Sequence, residues 1–153
     1  MLKKYTKKEL LRIYEKMYLS RKLDEKQLIL LKQGLGYFHI GASGHEAAQV
    51  AASNFINTKK DFSYPYYRDQ AYCVGLGMSA KEILLSFLAK KDDPNSGGRQ
   101  MPQHFSHKNL NIVSQSSPTG TQYLQAEGAS FVLQRESKNS LVYVSSGEGT
   151  TSQ

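Results

Sequence analysis

The stretch "LNIVSQSSPTGTQYLQAEGASFVLQRESKNSLVYVSSGEGTTSQ", Leu110 to Gln153, decides the fold. It opens on a short apolar run, Leu110 to Val113, followed by the turn "SQSSPTG". Helical spacing then runs through "TQYLQAEGASFVLQRE" (121–136). Leu141 to Val144 is a second uninterrupted apolar run of the kind a buried parallel strand requires. Strand, turn, helix, strand and turn in that order describe a β-α-β unit. Parallel sheets bind ligands at the carboxyl ends of their strands, which here means the turns "SQSSPTG" and "SSGEGTTSQ".

Upstream, the chain reads as helical. "YTKKELLRIYEKMYLSRKLDEKQLILLKQG" places Leu10, Ile13, Tyr14 and Met17 at helical spacing. Thr6 and Glu9 have the spacing of a capping box, and Gly34 and Gly36 mark a stop. The same box is expected at Ser43 and Glu46, opening an Ala-rich helix from about Gly44 to Phe55, and at Ser79 and Glu82, opening "AKEILLSFLAKK". Between the last two lies the aromatic stretch "FSYPYYRDQ". "DDPNSGGRQMPQHFSHKN" is too rich in Pro, Gly and Asn for regular structure and is expected to be a long loop. Two segments result: a helical one over 1–40, and a domain over 41–153.

Composition bounds the function. With 153 residues, 39% hydrophobic and 22% charged, the chain can bury a core and reads as soluble and globular. Its formal charge is +7, but residues 1–32 hold ten Lys/Arg against four Asp/Glu, so the excess belongs to one helix. A solvated lysine face explains it better than a nucleic-acid stripe, because no glycine and aromatic RNA signature accompanies it. No run approaches membrane-spanning length, no signal peptide is legible, and the single Cys73 cannot form an internal disulfide. The expectation is a cytoplasmic protein.

Three short stretches carry chemistry. Gly147-Glu148-Gly149 follows the second apolar run: glycines permit close backbone approach, and a carboxylate is a hard oxygen ligand for Mg²⁺. In "YYRD", Arg68 presents a planar fork of donors suited to phosphate, and Tyr67 adds a hydroxyl. "GGRQMPQHFS" brings Arg99 and His104 into the long loop. Taken alone, Gly147-Glu148-Gly149 reads better as an exposed turn, "YYRD" reads equally well as a packing loop with a surface arginine, and the bland reading of "GGRQMPQHFS" is a flexible linker.

Together they resemble a known family. "GHEAAQV" (44–50), "YPYYRDQ" (64–70), "GGRQMPQHFS" (97–106), "SQSSPTGTQ" (114–122) and "GEGTTSQ" (147–153) are similar, in this order, to motifs of the α subunit of thiamin-diphosphate-dependent 2-oxo acid dehydrogenases. The resemblance covers about residues 8–153, and "GRQMP" resembles the branched-chain E1 component rather than the pyruvate enzymes.

The resemblance implies a doubly wound α/β domain holding the diphosphate end of the cofactor, and a β subunit or fused β half holding the other end. It implies that Tyr67 and Arg68 contact the diphosphate and that Ser117 and Thr119 line the aminopyrimidine side. The family usually has a bulkier aliphatic residue at the position of Thr119. Gly147, Glu148, Gly149 and Thr150 match the start of the thiamin motif, with Glu148 as the Mg²⁺ ligand. The second ligand, an asparagine, is expected downstream of Gln153, so the chain is expected to be the N-terminal part of this domain and inactive alone. The implied reaction is decarboxylation of a small 2-oxo acid and transfer of the acyl group to the lipoyl arm of the E2 acyltransferase. His39 and His104 are candidates for the substrate side, where a histidine near neutral pKa assists proton or acyl transfer.

Three rival readings are weaker. "GLGMSA" (75–80) fits a dinucleotide fingerprint, but such a fingerprint needs a strand before it, and "AYCV" is a poor strand. His39, His45, His104 and His107 would be a zinc set only if the fold gathered them, and no Cys pair supports one. A non-catalytic segment that docks on a partner subunit would use an exposed sheet edge and apolar helix faces.

Overall fold

The computed structural model describes residues 5–114, 116–136 and 139–152; Gln115 and Gln153, which belong to two of the motifs, lie outside them. The elements run α1 (Lys7–Lys32), α2 (Glu46–Ser53), β1 (Phe62–Tyr64), α3 (Gln70–Leu76), α4 (Ala80–Phe87), α5 (Thr121–Glu136) and β2 (Val142–Val144), with 3₁₀ turns at Lys108–Leu110 and Glu148–Ser152. The class is α/β with its N-terminal helices first. β1 and β2 pair in parallel, Phe62 opposite Val142 and Tyr64 opposite Val144.

Local signals set the ends of α1. Thr6 Oγ1 accepts from the Glu9 N–H (3.2 Å) while the Glu9 carboxylate accepts from the Thr6 N–H (2.8 Å), a reciprocal cap. At the other end Gly34, at φ +72°, lets its own N–H reach Leu31 O (2.9 Å) and the Leu35 N–H reach Leu30 O (3.0 Å). These bonds satisfy carbonyls that the helix leaves open.

Two helices differ from expectation. The Ser43/Glu46 box does not form: the α2 cap residue is His45, with no side-chain cap bond. Ser43 Oγ instead donates to Asp24 (2.6 Å), and Glu46 pairs with Arg21 (2.7 Å) and accepts from the Gly44 N–H (2.9 Å). Tertiary partners have outbid the local cap. The Ser79/Glu82 box does form, but α4 stops at Phe87 rather than running on to Lys91. There Ala89 turns left-handed (φ +49°), and its carbonyl lies 2.5 Å from where a Cβ on Gly98 would sit. Gly98 is therefore what lets the loop fold back onto the helix end.

The β-α-β unit also uses a different first strand. Leu110–Val113 is not one: Asn111 is left-handed (φ +50°), and only Ile112 makes bridges, to Ser63 and His107. The strand beside β2 is instead the short Phe62–Tyr64, ended by Pro65. Bonds from the Ser63 N–H to Asn111 O and from the Val113 N–H to Ser63 O (both 3.0 Å) lay the 111–113 run along β1.

The core lies between this sheet and helices α1 to α4. Tyr72 on α3, which is buried from Gln70 to Gly75, stacks on Tyr143 of β2 (ring centroids 4.1 Å apart, planes at 14°) and shares a hydrogen bond with Ser63 of β1 (2.7 Å). Leu23, Met78, Ile83 and Phe105 pack around it. A Cβ on Gly75 would lie 2.0 Å from Ser53 Oγ, so α2 and α3 approach as closely as glycine permits.

Candidate functional site

A cleft opens at the carboxyl ends of β1 and β2. Tyr66 and Tyr67, from the loop after β1, form one wall. Gln103 and His104 of the long loop, Ser117 and Thr119 of the turn before α5, and Thr150 after β2 form the others. The first turn of α5 contributes Gln122, and a helix N-terminus favours negative charge nearby.

A buried polar relay holds the two strand-end loops together. Ser145 donates to the Asp69 carboxylate and accepts from the Tyr66 N–H (3.3 Å), while its carbonyl accepts from Gln122 Nε2 (3.0 Å). Gln49 Nε2 donates to the other oxygen of Asp69 (3.1 Å) and to Arg68 O (2.9 Å). Asp69 is 2% exposed, and burial pushes its carboxyl up to about 7, only partly offset by the bonds from Ser145 and the Tyr66 backbone. Burial, with Asp69 nearby, also raises the Tyr66 hydroxyl.

The expected site residues fall into three groups. Tyr67, Ser117, Thr119, Thr150 and His104 line the cleft, with His104 Nε2 at 3.0 Å from Ser117 Oγ. Arg68, Gly147, Glu148 and Gly149 are not among the lining residues, although Arg68 follows Tyr67 and Gly149 precedes Thr150 in the chain. Arg68 lies over the Tyr67 ring (5.5 Å) and donates through Nη1 to Gly41 O (2.6 Å), and the Glu148 side chain is exposed. His39 is outside the cleft, its Nε2 paired with Asp24 (3.0 Å) and its ring edge-on to Phe87.

The glycines bear on what the cleft could hold. Gly147 and Gly149 both lie outside the positive-φ region, so the backbone does not require glycine there. A Cβ at Gly147 would make only ordinary contact with Tyr66 (3.8 Å), and at Gly149 it would meet none of the described residues. Packing within the chain does not require them either. What they keep free is space over the Gly147–Gly149 turn, which a Cβ would fill. The tyrosine and serine hydroxyls of the cleft, with the Arg68 guanidinium and the exposed Glu148 carboxylate on residues close to its lining in the chain, make a donor set that suits a phosphate ester with a divalent cation.

Two of the rival readings, the dinucleotide fingerprint and the zinc set, do not survive the geometry. "GLGMSA" follows helix α3 rather than a strand, and its Ser79 caps α4. The histidines are dispersed: His39 pairs with Asp24, His107 with Glu82 and His104 with Ser117. Among the described residues no group of three potential ligands could hold a metal. No helix among them is long and apolar enough to cross a membrane. Sequence reasoning missed Tyr66, Gln103, Gln122, Asp69 and Ser145. Tyr66 was within reach, being the neighbour of Tyr67; the others act through partners distant in sequence.

A family model described as dehydrogenase E1 component matches residues 14–153. The 2-oxoisovalerate dehydrogenase subunit alpha of Bacillus subtilis (strain 168) is 42% identical over 148 residues, covering 97% of this chain and 45% of that protein. A pyruvate dehydrogenase E1 component subunit alpha of Staphylococcus aureus (strain Mu50 / ATCC 700699) is 31% identical over 148 residues, 97% of this chain and 37% of its own length. The mitochondrial 2-oxoisovalerate dehydrogenase subunit alpha 1 of Arabidopsis thaliana is 30% identical over 142 residues, 93% of this chain and 30% of its own. The chain thus spans less than half the length of each of these relatives.

Proposed function

The chain belongs to the dehydrogenase E1 component family, and from that premise we propose that it is the α part of a thiamin-diphosphate-dependent 2-oxo acid dehydrogenase of branched-chain type. In this reading residues 1–40 are a helical lead-in and 41–153 belong to the diphosphate-side domain. The observation that carries the proposal is the meeting, at the ends of two parallel strands, of motifs as far apart in sequence as Tyr67, Ser117 and Thr150.

Arg68 and Tyr67 would hold the diphosphate oxygens, with Gly147 and Gly149 leaving room for close backbone approach. Glu148 would supply the carboxylate to Mg²⁺. Ser117 and Thr119 would face the aminopyrimidine side. His104 would work from the cleft wall, its Nδ1–H toward the Pro102 carbonyl (3.3 Å) and its Nε2 placed to accept from the Ser117 hydroxyl, and His39 from the loop next to it. Thiamin diphosphate, when bound, supplies the nucleophilic carbon that adds to the 2-oxo carbonyl and takes up the electrons left by departing CO2. The protein's share is to bind, orient and exclude water. An E1 β subunit or fused β half would complete the site, and the lipoyl arm of an E2 acyltransferase would take the acyl group.

Calorimetric titration tests the reading. Thiamin diphosphate is expected to bind more tightly with Mg²⁺ than without, and Glu148→Gln should abolish that difference. Equal affinity with and without Mg²⁺ in the wild-type chain would remove Glu148 from the metal. With a β partner supplied, 2-oxoisovalerate should be turned over in preference to pyruvate; the reverse order would assign the chain to the pyruvate enzymes.

A further inference from the structure

The loop from His39 to Gly44 is held almost wholly by side chains from elsewhere. Asp24 on α1, 8% exposed, pairs with His39 Nε2 (3.0 Å) and accepts from the Ala42 N–H (3.0 Å) and from Ser43 Oγ (2.6 Å). Gln103, in the cleft wall, accepts from the Ile40 N–H (2.8 Å) and donates to Ile40 O (2.6 Å), so its amide copies a strand pairing. Arg68 Nη1 donates to Gly41 O (2.6 Å).

The third tie differs from the other two. Asp24 and Gln103 are buried, whereas Arg68, next to the cleft-lining Tyr67 in the chain, is half-buried, makes its bond to Gly41 in the open, and among the described residues has no carboxylate partner. A guanidinium carries five N–H donors in a rigid fork, so one edge can hold Gly41 O while another faces an anion.

We infer that Arg68 is a positioning residue as well as an anion contact: filling the diphosphate subsite fixes its guanidinium, and the guanidinium fixes the 39–44 loop that carries His39. The inference rests on the diphosphate reading of the cleft. An unengaged arginine samples many rotamers, and its bond to Gly41 is made and lost with them. An anion on the other edge of the fork removes that freedom, so the loop gains order without a new contact of its own. Lysine could bind the anion as a point charge but could not hold both partners in one plane.

Hydrogen exchange on the peptide spanning 38–46, with inorganic pyrophosphate and Mg²⁺ as the probe, tests this. Saturating pyrophosphate should slow exchange in this peptide by about three- to tenfold, the net worth of one ordinary hydrogen bond at a local opening. Arg68→Lys, driven to saturation at higher pyrophosphate, should show no slowing. Without any anion, Arg68→Ala should speed exchange in the same peptide while leaving α4 unchanged, which separates loss of the tie from loss of the fold. Saturable pyrophosphate binding with unaltered loop exchange overturns the coupling, and so does slowing that persists in Arg68→Lys. A flat pyrophosphate titration of the wild-type chain overturns the diphosphate reading itself. In that case the Arg68→Ala comparison still reports whether Arg68 holds the loop.

Discussion

At the scale of single residues, Asp69 is the carboxylic acid, among those described, whose chemistry the fold alters most. Neutral when its carboxyl is protonated, it suits its buried place; ionised, it is a charge held away from water. Its folded value of about 7 lies above the ordinary 3.8, so between those two pH values the folded chain binds more protons than the unfolded one. The Asp69 contribution to stability is therefore full below 3.8, falls as pH rises through that window and levels off above about 7. Asp69→Asn keeps the acceptor for Ser145 and removes the titration. Denaturant unfolding of the variant should lose this downward slope, and a slope identical to wild type would show that Asp69 is not its source. In sequence, Asp69 looks like an ordinary residue following Arg68. Nothing local announces that Ser145 and Gln49 enclose it.

At the scale of elements, α4 shows how a local signal and a tertiary contact share one side chain. Glu82 caps the Ser79 N–H (2.8 Å) and also receives His107 Nε2 (3.2 Å). The backbone bond to Ser79, set against partial burial and helped by the Ser79 hydroxyl and His107, holds its carboxyl below the usual 4.5. Its contribution is present above that value and lost as pH falls through the lowered one. Ser79→Ala is expected to cost about 1 kcal/mol, the ordinary worth of an N-cap. Glu82→Ala should cost more, since it also releases the loop at His107, and a smaller loss than for Ser79→Ala in thermal unfolding would refute this. The cap could be read directly from "SAKE". The early stop of α4 could not, because it depends on Gly98 lying against Ala89 O.

At the scale of the whole molecule, the parallel pair of strands depends on contacts that span most of the chain. Asp61, 2% exposed, accepts from the Leu141 N–H (3.0 Å) and the Asn57 N–H (2.7 Å), fastening the start of β2 to the start of β1. Asp61→Ala leaves both donors without this acceptor and is expected to cost roughly 2–4 kcal/mol in chemical denaturation. A loss below about 0.5 kcal/mol, the level of an ordinary surface substitution, would show that the strands are registered by other means. Outside the core, α5 keeps Leu124 82% and Phe131 55% exposed. Among the described residues no strand pairs with the second edge of β2.

The sequence by itself determined what short-range chemistry decides. The caps of α1 and α4, the helical span of α5 and the five ordered motifs depend on residues a few positions apart; the Leu141–Val144 run does form β2, but as a half-buried strand rather than the buried one expected, because the described chain covers only part of its surface. Tertiary structure decided which run pairs with β2, because Asn111 in the left-handed region breaks "LNIV" and leaves Phe62–Tyr64 to take its place. It also decided that Ser43 and Glu46 serve Asp24 and Arg21 rather than a cap, and that Arg68 reaches the His39 loop. These are competitions between a local partner and a distant one. Only packing, which sets the distances and removes the water, settles which of the two wins.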